Sequence, residues 1–150
     1  MKIVLYRPEI PQNTGNIGRL CVATKTFLYL VNPLGFFLDS KEIRRSGLDY
    51  WEHLDYKTVE NLDEVRAENL GSHVWYLSTK GKRPYTEVTY QADDVLVFGS
   101  EGSGLPPTVL EKNPETVLTI PQWGPVRSLN LATAVGIVLY EAYRQIGFPR

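Results

Sequence analysis

The sequence predicts an α/β domain, a mostly parallel sheet with helices on both faces. Three observations predict it. Short apolar runs rich in β-formers recur along the chain. Segments of helical period separate them, and such an alternation builds parallel strands joined by crossover helices. Finally, the Gly, Pro, Asn and Arg residues that packing does not demand gather after the strands. An open α/β sheet holds its ligand there, beyond the carboxyl ends of its strands.

Lys2 to Tyr6 is an apolar run halted by Pro8 and Pro11, and reads as a buried strand. Asn13 and Thr14 offer an N-cap, followed by Ile17, Leu20 and Cys21 at i, i+3, i+4 spacing. Phe27 to Val31 is a second buried strand, ended by Asn32-Pro33. Ser40 is placed to cap a short helix through Arg45, closed by Gly47. Tyr56 to Val59 is a third strand, and Asn61 to Leu70 a polar helix ending at Gly71. His73 to Leu77 and Asp94 to Phe98 are further strands. Pro106 to Lys112 is a short helix and Val117 to Ile120 a strand. The final helix spans Leu129 to Gln145, with Ser128 as its N-cap. No repeat, low-complexity tract or linker interrupts this order, so residues 1–150 are expected to form one domain.

Composition narrows the class. A hydrophobic fraction of 43% and a charged fraction of 22% are those of a soluble globular chain. One cysteine, Cys21, leaves no internal disulfide and suits a reducing cytoplasm. No stretch approaches ~18 uncharged apolar residues, so no membrane span is expected. The opening MKIVLYRPEIP has no signal-peptide core. A net charge of −1 excludes nucleic-acid binding by overall basicity; local patches, or a dimer joining two of them, would be needed.

Four connections hold the candidate chemistry: Pro8 to Arg19, Ser78 to Pro84, Gly99 to Pro106, and Pro121 to Asn130. Arg19 lies about 160–200 degrees around its helix from Ile17 and Cys21, away from the core stripe. It is either a solvated surface cation or a functional one. Three glycines in the run from Gly99 to Gly104 allow close backbone approach to a ligand, without forming a Walker loop or a dinucleotide fingerprint. Glu101 within that run could meet a cationic ligand or pair with an arginine such as Arg19. Arg127, Ser128 and Asn130 cluster at the entrance to the last helix.

His53 and His73 are isolated and Cys21 has no nearby partner, so no zinc pattern exists; no acidic cluster marks a magnesium site. No nucleophile elbow or triad spacing is present. Chemistry run by backbone, amides, hydroxyls and arginine remains. Lys41, Arg44 and Arg45 share a helical face, and Lys80, Lys82 and Arg83 crowd another loop. Each cluster is an ordinary solvated surface by itself; around one site they could neutralise RNA phosphates. Tyr140 and Tyr143 stand three apart on the last helix. Tyr143 reads as core or interface, and Tyr140 as a residue that could reach RNA.

Taken together, these segments resemble the signature motifs of the SPOUT superfamily of RNA methyltransferases. The carriers are Asn13 and Arg19 in N-x(5)-R, the apolar strand with GSEGSGLP, and IP…RSLNLATAVGIVLYE. The short length, the opening IVLYRPEIPQNTGNIGRLC and RRSGLDYWEHL resemble the minimal subfamily that methylates the ribose 2′-oxygen of tRNA wobble position 34. The resemblance covers nearly the whole chain. It implies a C-terminal trefoil knot, which chain-threading statistics alone would exclude. It also implies a homodimer whose composite site takes arginine from one subunit and cofactor from the other, acting on the tRNA anticodon stem-loop in the cytoplasm.

Methyl transfer from a sulfonium to a hydroxyl has a neutral leaving group, so no metal is called for. The resemblance gives Arg19 the central catalytic role, with Asn13, Glu101, Ser128 and Asn130 in support. It assigns S-adenosylmethionine to Leu77, Gly99, Ile120 and Ser128, residue types that suit a flat apolar slot with backbone partners. Arg19, Arg44, Arg45 and Tyr140 are then the substrate-binding candidates. Three other readings stay open: a non-catalytic RNA- or nucleotide-binding protein, a small-molecule α/β enzyme, and 2′-O-methylation elsewhere in tRNA or in rRNA.

Overall fold

Strands that must be covered on both faces are apolar throughout, and that is how the central strands here read. The computed structural model describes residues 1–39, 41–47 and 50–149. Its strands are β1 (Lys2–Tyr6), β2 (Phe27–Val31), β3 (Tyr56–Val59), β4 (Val74–Leu77), β5 (Arg83–Pro84), β6 (Val95–Phe98) and β7 (Val117–Thr119). They form one sheet in the order β3-β2-β1-β6-β4-β7-β5, every pair parallel. β1 lies near the centre, with Leu5 opposite Leu30 on one side and Phe98 on the other.

Alternation along each strand divides the core in two. Ile3, Leu5, Leu28, Leu30, Leu96 and Phe98 face the layer built by α1 (Pro11–Thr24) and α5 (Leu131–Ile146). Val4, Tyr29, Val31, Val95 and Val97 face the other layer, with α3 (Leu62–Glu68) and α4 (Pro107–Lys112). The remaining helix, α2 (Lys41–Gly47), packs on α1 rather than on the sheet. The expected α/β architecture, with helices on both faces, is the one observed.

Four expectations need correction or completion. α1 starts at Pro11, not after an Asn13 or Thr14 cap, and Ile10 at its N-cap makes no side-chain bond. Proline is preorganised for a first helical position, and the missing acceptor comes from elsewhere, as described below. The last helix is capped by Asn130, whose side chain accepts from the Thr133 N–H at 3.1 Å; Ser128 lies exposed, outside the helix. The proposed cap at Ser40 falls outside the described residues. β5 and the 3₁₀ turns Trp51–His53 and Pro114–Thr116 have no counterpart in the sequence reading.

Tyr143 resolves as core. It is 7% exposed, with its hydroxyl 2.6 Å from Thr26 Oγ1 and donating to the Thr24 carbonyl at 3.2 Å. Tyr140, one turn earlier on α5, is 49% exposed. Cys21 is buried in the α1 layer, and burial pushes its thiol pKa up to about 12. Iodoacetamide at pH 8 should therefore leave the native thiol unlabelled until the protein is unfolded, which mass spectrometry would read. An unfolded thiol ionises near pH ~8.5. The buried, protonated thiol's contribution to stability is therefore full below that pH and is lost as pH rises towards about 12.

Candidate catalytic and cofactor site

Each strand that reaches the middle of the sheet delivers a loop to the same end of the molecule, and three of these loops enclose a cavity of about 550 Å³. Leu77 closes β4, Gly99 follows β6, and Ile120 follows β7. All three line the cavity, and Ser128 joins them from the segment before α5. The four residues expected to hold a cofactor therefore meet in one place. Asn13, Glu101 and Asn130 line it too, and Lys80 and Arg127 stand on its wall.

Gly99 is required by the loop itself. A β-carbon there would stand 2.2 Å from the Gly104 carbonyl carbon and 2.3 Å from the Leu105 nitrogen. The constraint is backbone against backbone within the turn, rather than only backbone against ligand. The same turn pairs Ser100 with Gly104 in an isolated antiparallel bridge.

A polar relay joins the loops. Glu101 accepts from the Glu9 N–H at 2.8 Å, the Ile10 N–H at 3.2 Å and Asn13 Nδ2 at 3.3 Å. Asn13 Oδ1 accepts from Asn130 Nδ2 at 3.0 Å, and Asn130 in turn caps α5. Glu9 returns the exchange, accepting from the Gly102 N–H at 3.2 Å. Glu101 thus anchors the entry to α1, accepting from the N–H of the N-cap residue Ile10 and of Glu9 before it, and its carboxylate opposes the positive end of the helix dipole. The expected partnership of Glu101 with Arg19 does not form. Its oxygens serve the start of α1, and Arg19 lies six residues on from Asn13, ~9 Å along the helix axis.

Arg19 is exposed and does not line the cavity of its own chain. Its guanidinium sits 4.6 Å from the Tyr50 ring centroid, a cation–π contact that holds the side chain over the surface. Lys41, Arg44 and Arg45 are exposed on α2, beside the helix that carries Arg19. Tyr140 is outside the cavity, and Lys82 and Arg83 stand exposed at the sheet edge.

Sequence reasoning missed Gln122. It lines the cavity, and its Oε1 is buried with no hydrogen-bond partner among the described residues. Such an acceptor is costly unless a ligand donor meets it. The only signal was a polar residue just beyond the Ile120-Pro121 strand end.

Fold and site together define a parallel α/β protein with a nucleotide-sized cavity at its strand ends, served by amide, hydroxyl and carboxylate groups. A family model described as the SpoU rRNA Methylase family matches residues 1–140. The chain belongs to that family. It is 45% identical over 156 residues to the tRNA (cytidine(34)-2'-O)-methyltransferase of Escherichia coli (strain K12), covering 99% of this chain and 96% of that one. A solved structure from work on the 2-OH methylation of C/U34 on tRNA is 44% identical with a TM-score of 0.92, over 97% of this chain and 95% of that one. The SpoU methyltransferase AviRb from Streptomyces viridochromogenes, solved in complex with AdoMet, is 25% identical with a TM-score of 0.84, over 100% of this chain and 59% of that one.

Proposed function

We propose that this protein transfers a methyl group from S-adenosylmethionine to the ribose 2′-hydroxyl of nucleotide 34, a cytidine or 5-modified uridine, in the anticodon loop of tRNA. The observation that carries the reading is the Glu101–Asn13–Asn130 relay, which runs along a cavity also lined by Leu77, Gly99, Ile120 and Ser128.

The residues present fit the cofactor. Leu77 and Ile120 offer apolar walls, the glycine turn offers backbone without side chains, and Gln122 Oε1 offers a buried acceptor that an exocyclic amine would satisfy. S-adenosylmethionine, when bound, supplies an electrophilic methyl carbon whose leaving group is a neutral thioether, so no metal is called for. The difficulty lies with the nucleophile, a ribose hydroxyl of very weak acidity. A guanidinium offers donors and no acceptor, which makes it a poor base. The role of Arg19 is to orient the 2′-oxygen and stabilise the charge that develops as the proton leaves. Ser128 and Asn130 hold the reacting ends in register, which can supply several kcal/mol.

A cation turned away from its own cavity suits a composite site. In a homodimer, Arg19 of one subunit would serve the cavity of the other, and Lys41, Arg44 and Arg45 beside it would meet anticodon-stem phosphates. Tyr140, exposed on α5, would lie at the interface or against RNA. The insertion of β7 between β4 and β5, followed by the return of α5 to α1, is the path expected of a trefoil-knotted C-terminus. A cytoplasmic location follows from the tRNA substrate.

Total tRNA incubated with labelled cofactor and digested for nucleotide mapping tests the reading. Label at the 2′-oxygen of position 34 is expected. Label at another position or in rRNA, or none, would overturn it.

A further inference from the structure

A second cavity, of about 480 Å³, lies beyond the carboxyl ends of β1 and β2. It shares Ser100, Ser103, Gly104 and Leu105 with the cofactor cavity, so one turn of backbone separates the two. We propose that this cavity holds an unpaired RNA nucleotide adjacent to the one being methylated, with its base against Tyr6 and the Arg7 guanidinium.

The walls are built rather than incidental. Arg7, just after β1, has φ 49, a left-handed conformation that side-chain-bearing residues rarely adopt and that recurs at functional sites. That bend carries the chain into Pro8, whose carbonyl accepts from the Gly35 N–H at 2.9 Å. A β-carbon at Gly35 would stand 2.9 Å from the Glu9 Cα, so the loops after β1 and β2 are in direct contact. Leu105 and Ser100, nearly buried, belong to the shared wall.

The chemistry selects the occupant. The Arg7 guanidinium lies 5.1 Å from the Tyr6 ring centroid, and no described carboxylate lies within ion-pair distance of it. An aromatic ring, an exposed guanidinium plane and the apolar side of Leu34 form the kind of platform on which splayed-out RNA bases stack. Glu9, also on the wall, argues against a bare phosphate, which its carboxylate would repel. The same carboxylate can accept from a base amine or a ribose hydroxyl. The two cavities share Ser100, Ser103, Gly104 and Leu105, so a nucleotide next to one whose ribose enters the first cavity is within reach of the second.

The inference rests on the RNA methyltransferase reading, and the test separates the two. Arg7→Gln and Tyr6→Leu, assayed with an anticodon stem-loop, should raise KM for RNA about tenfold each. kcat and calorimetric cofactor affinity should stay at their unaltered values. Arg7→Gly, which removes the left-handed strain as well as the charge, should show the same KM rise with no loss of Tm, separating ligand contact from folding. Stem-loops made abasic on one or the other side of the target nucleotide should include one that raises KM for the unaltered protein by a similar factor and adds nothing in Arg7→Gln. Normal KM in the Arg7 variants, or full additivity with both abasic substrates, overturns the nucleotide pocket while leaving methyl transfer standing. No methyl transfer to any stem-loop by the unaltered protein would overturn the functional reading, and the pocket with it.

Discussion

Arg19→Ala should lose about a hundredfold to a thousandfold of methyl transfer, the range for removing one preorganised donor from a developing oxyanion. Cofactor affinity by calorimetry should hardly change, because Arg19 does not line its own chain's cavity. Stability should hardly change either: the side chain is exposed and its described contact is the Tyr50 ring. The composite-site reading adds a stricter expectation. Arg19→Ala co-refolded with a cavity-filling variant, Ile120→Trp, should recover about a quarter of normal activity. Half of the dimers are then mixed, and each mixed dimer has one intact site. Sedimentation equilibrium should read near twice the 17.0 kDa of the chain. Near-normal turnover of Arg19→Ala would remove the arginine from the chemistry; no recovery on mixing would return it to its own subunit.

Gly99→Ala should destabilise the protein more than Gly81→Ala or Gly35→Ala, whose added carbons would meet their nearest atoms at 2.8 and 2.9 Å rather than 2.2 Å. The new carbon would have to occupy the space of the Gly104 carbonyl carbon, and backbone cannot rotate away as a side chain can. A cost of ~3 kcal/mol follows from overpacking, which for a chain of this length is roughly 6–12 °C in Tm. Cofactor binding should fall with it, since the displaced turn forms the cavity wall. Gly104→Ala is the control. It suffers the strain of φ +68 but meets nothing within 4 Å, so its Tm loss should be clearly smaller. Equal Tm losses, or Gly99→Ala protein that titrates normally with cofactor, would show that the turn can be rebuilt.

The strands were the legible part of the fold because most are covered on both faces and write themselves as apolar runs. β1, β2 and β3 have the bounds expected of them, and β4, β6 and β7 differ by one terminal residue. What escaped notice was non-local. The start of α1 was misread because its acceptor is Glu101, more than ninety residues away, whereas capping rules look only a turn or two along the chain. Ser128 and Asn130 are both good caps by type, and only packing chooses between them. β5 is an Arg-Pro pair at the sheet edge, where a proline is tolerated, and two residues carry no period to detect. The residues proposed to hold the cofactor came from the likeness of motifs to a known family. Their meeting around one cavity depends on the strand order β6-β4-β7, which no local pattern encodes.

The exchange between Glu101 and the start of α1 also has a bearing on how the chain acquires its structure. During synthesis the first 94 residues emerge with α1 lacking its carboxylate acceptor and β1 lacking its β6 neighbour, which begins at Val95. Both arrive late and close together, β6 first and Glu101 three residues after it. Contacts of such long sequence separation make folding slow, because the closure entropy is met before the contacts reward it. The nascent N-terminal half therefore waits with one edge of β1 open, the kind of exposure on which chaperones act. The helix that bears Arg19 is completed in the same event that builds the wall of the cofactor cavity.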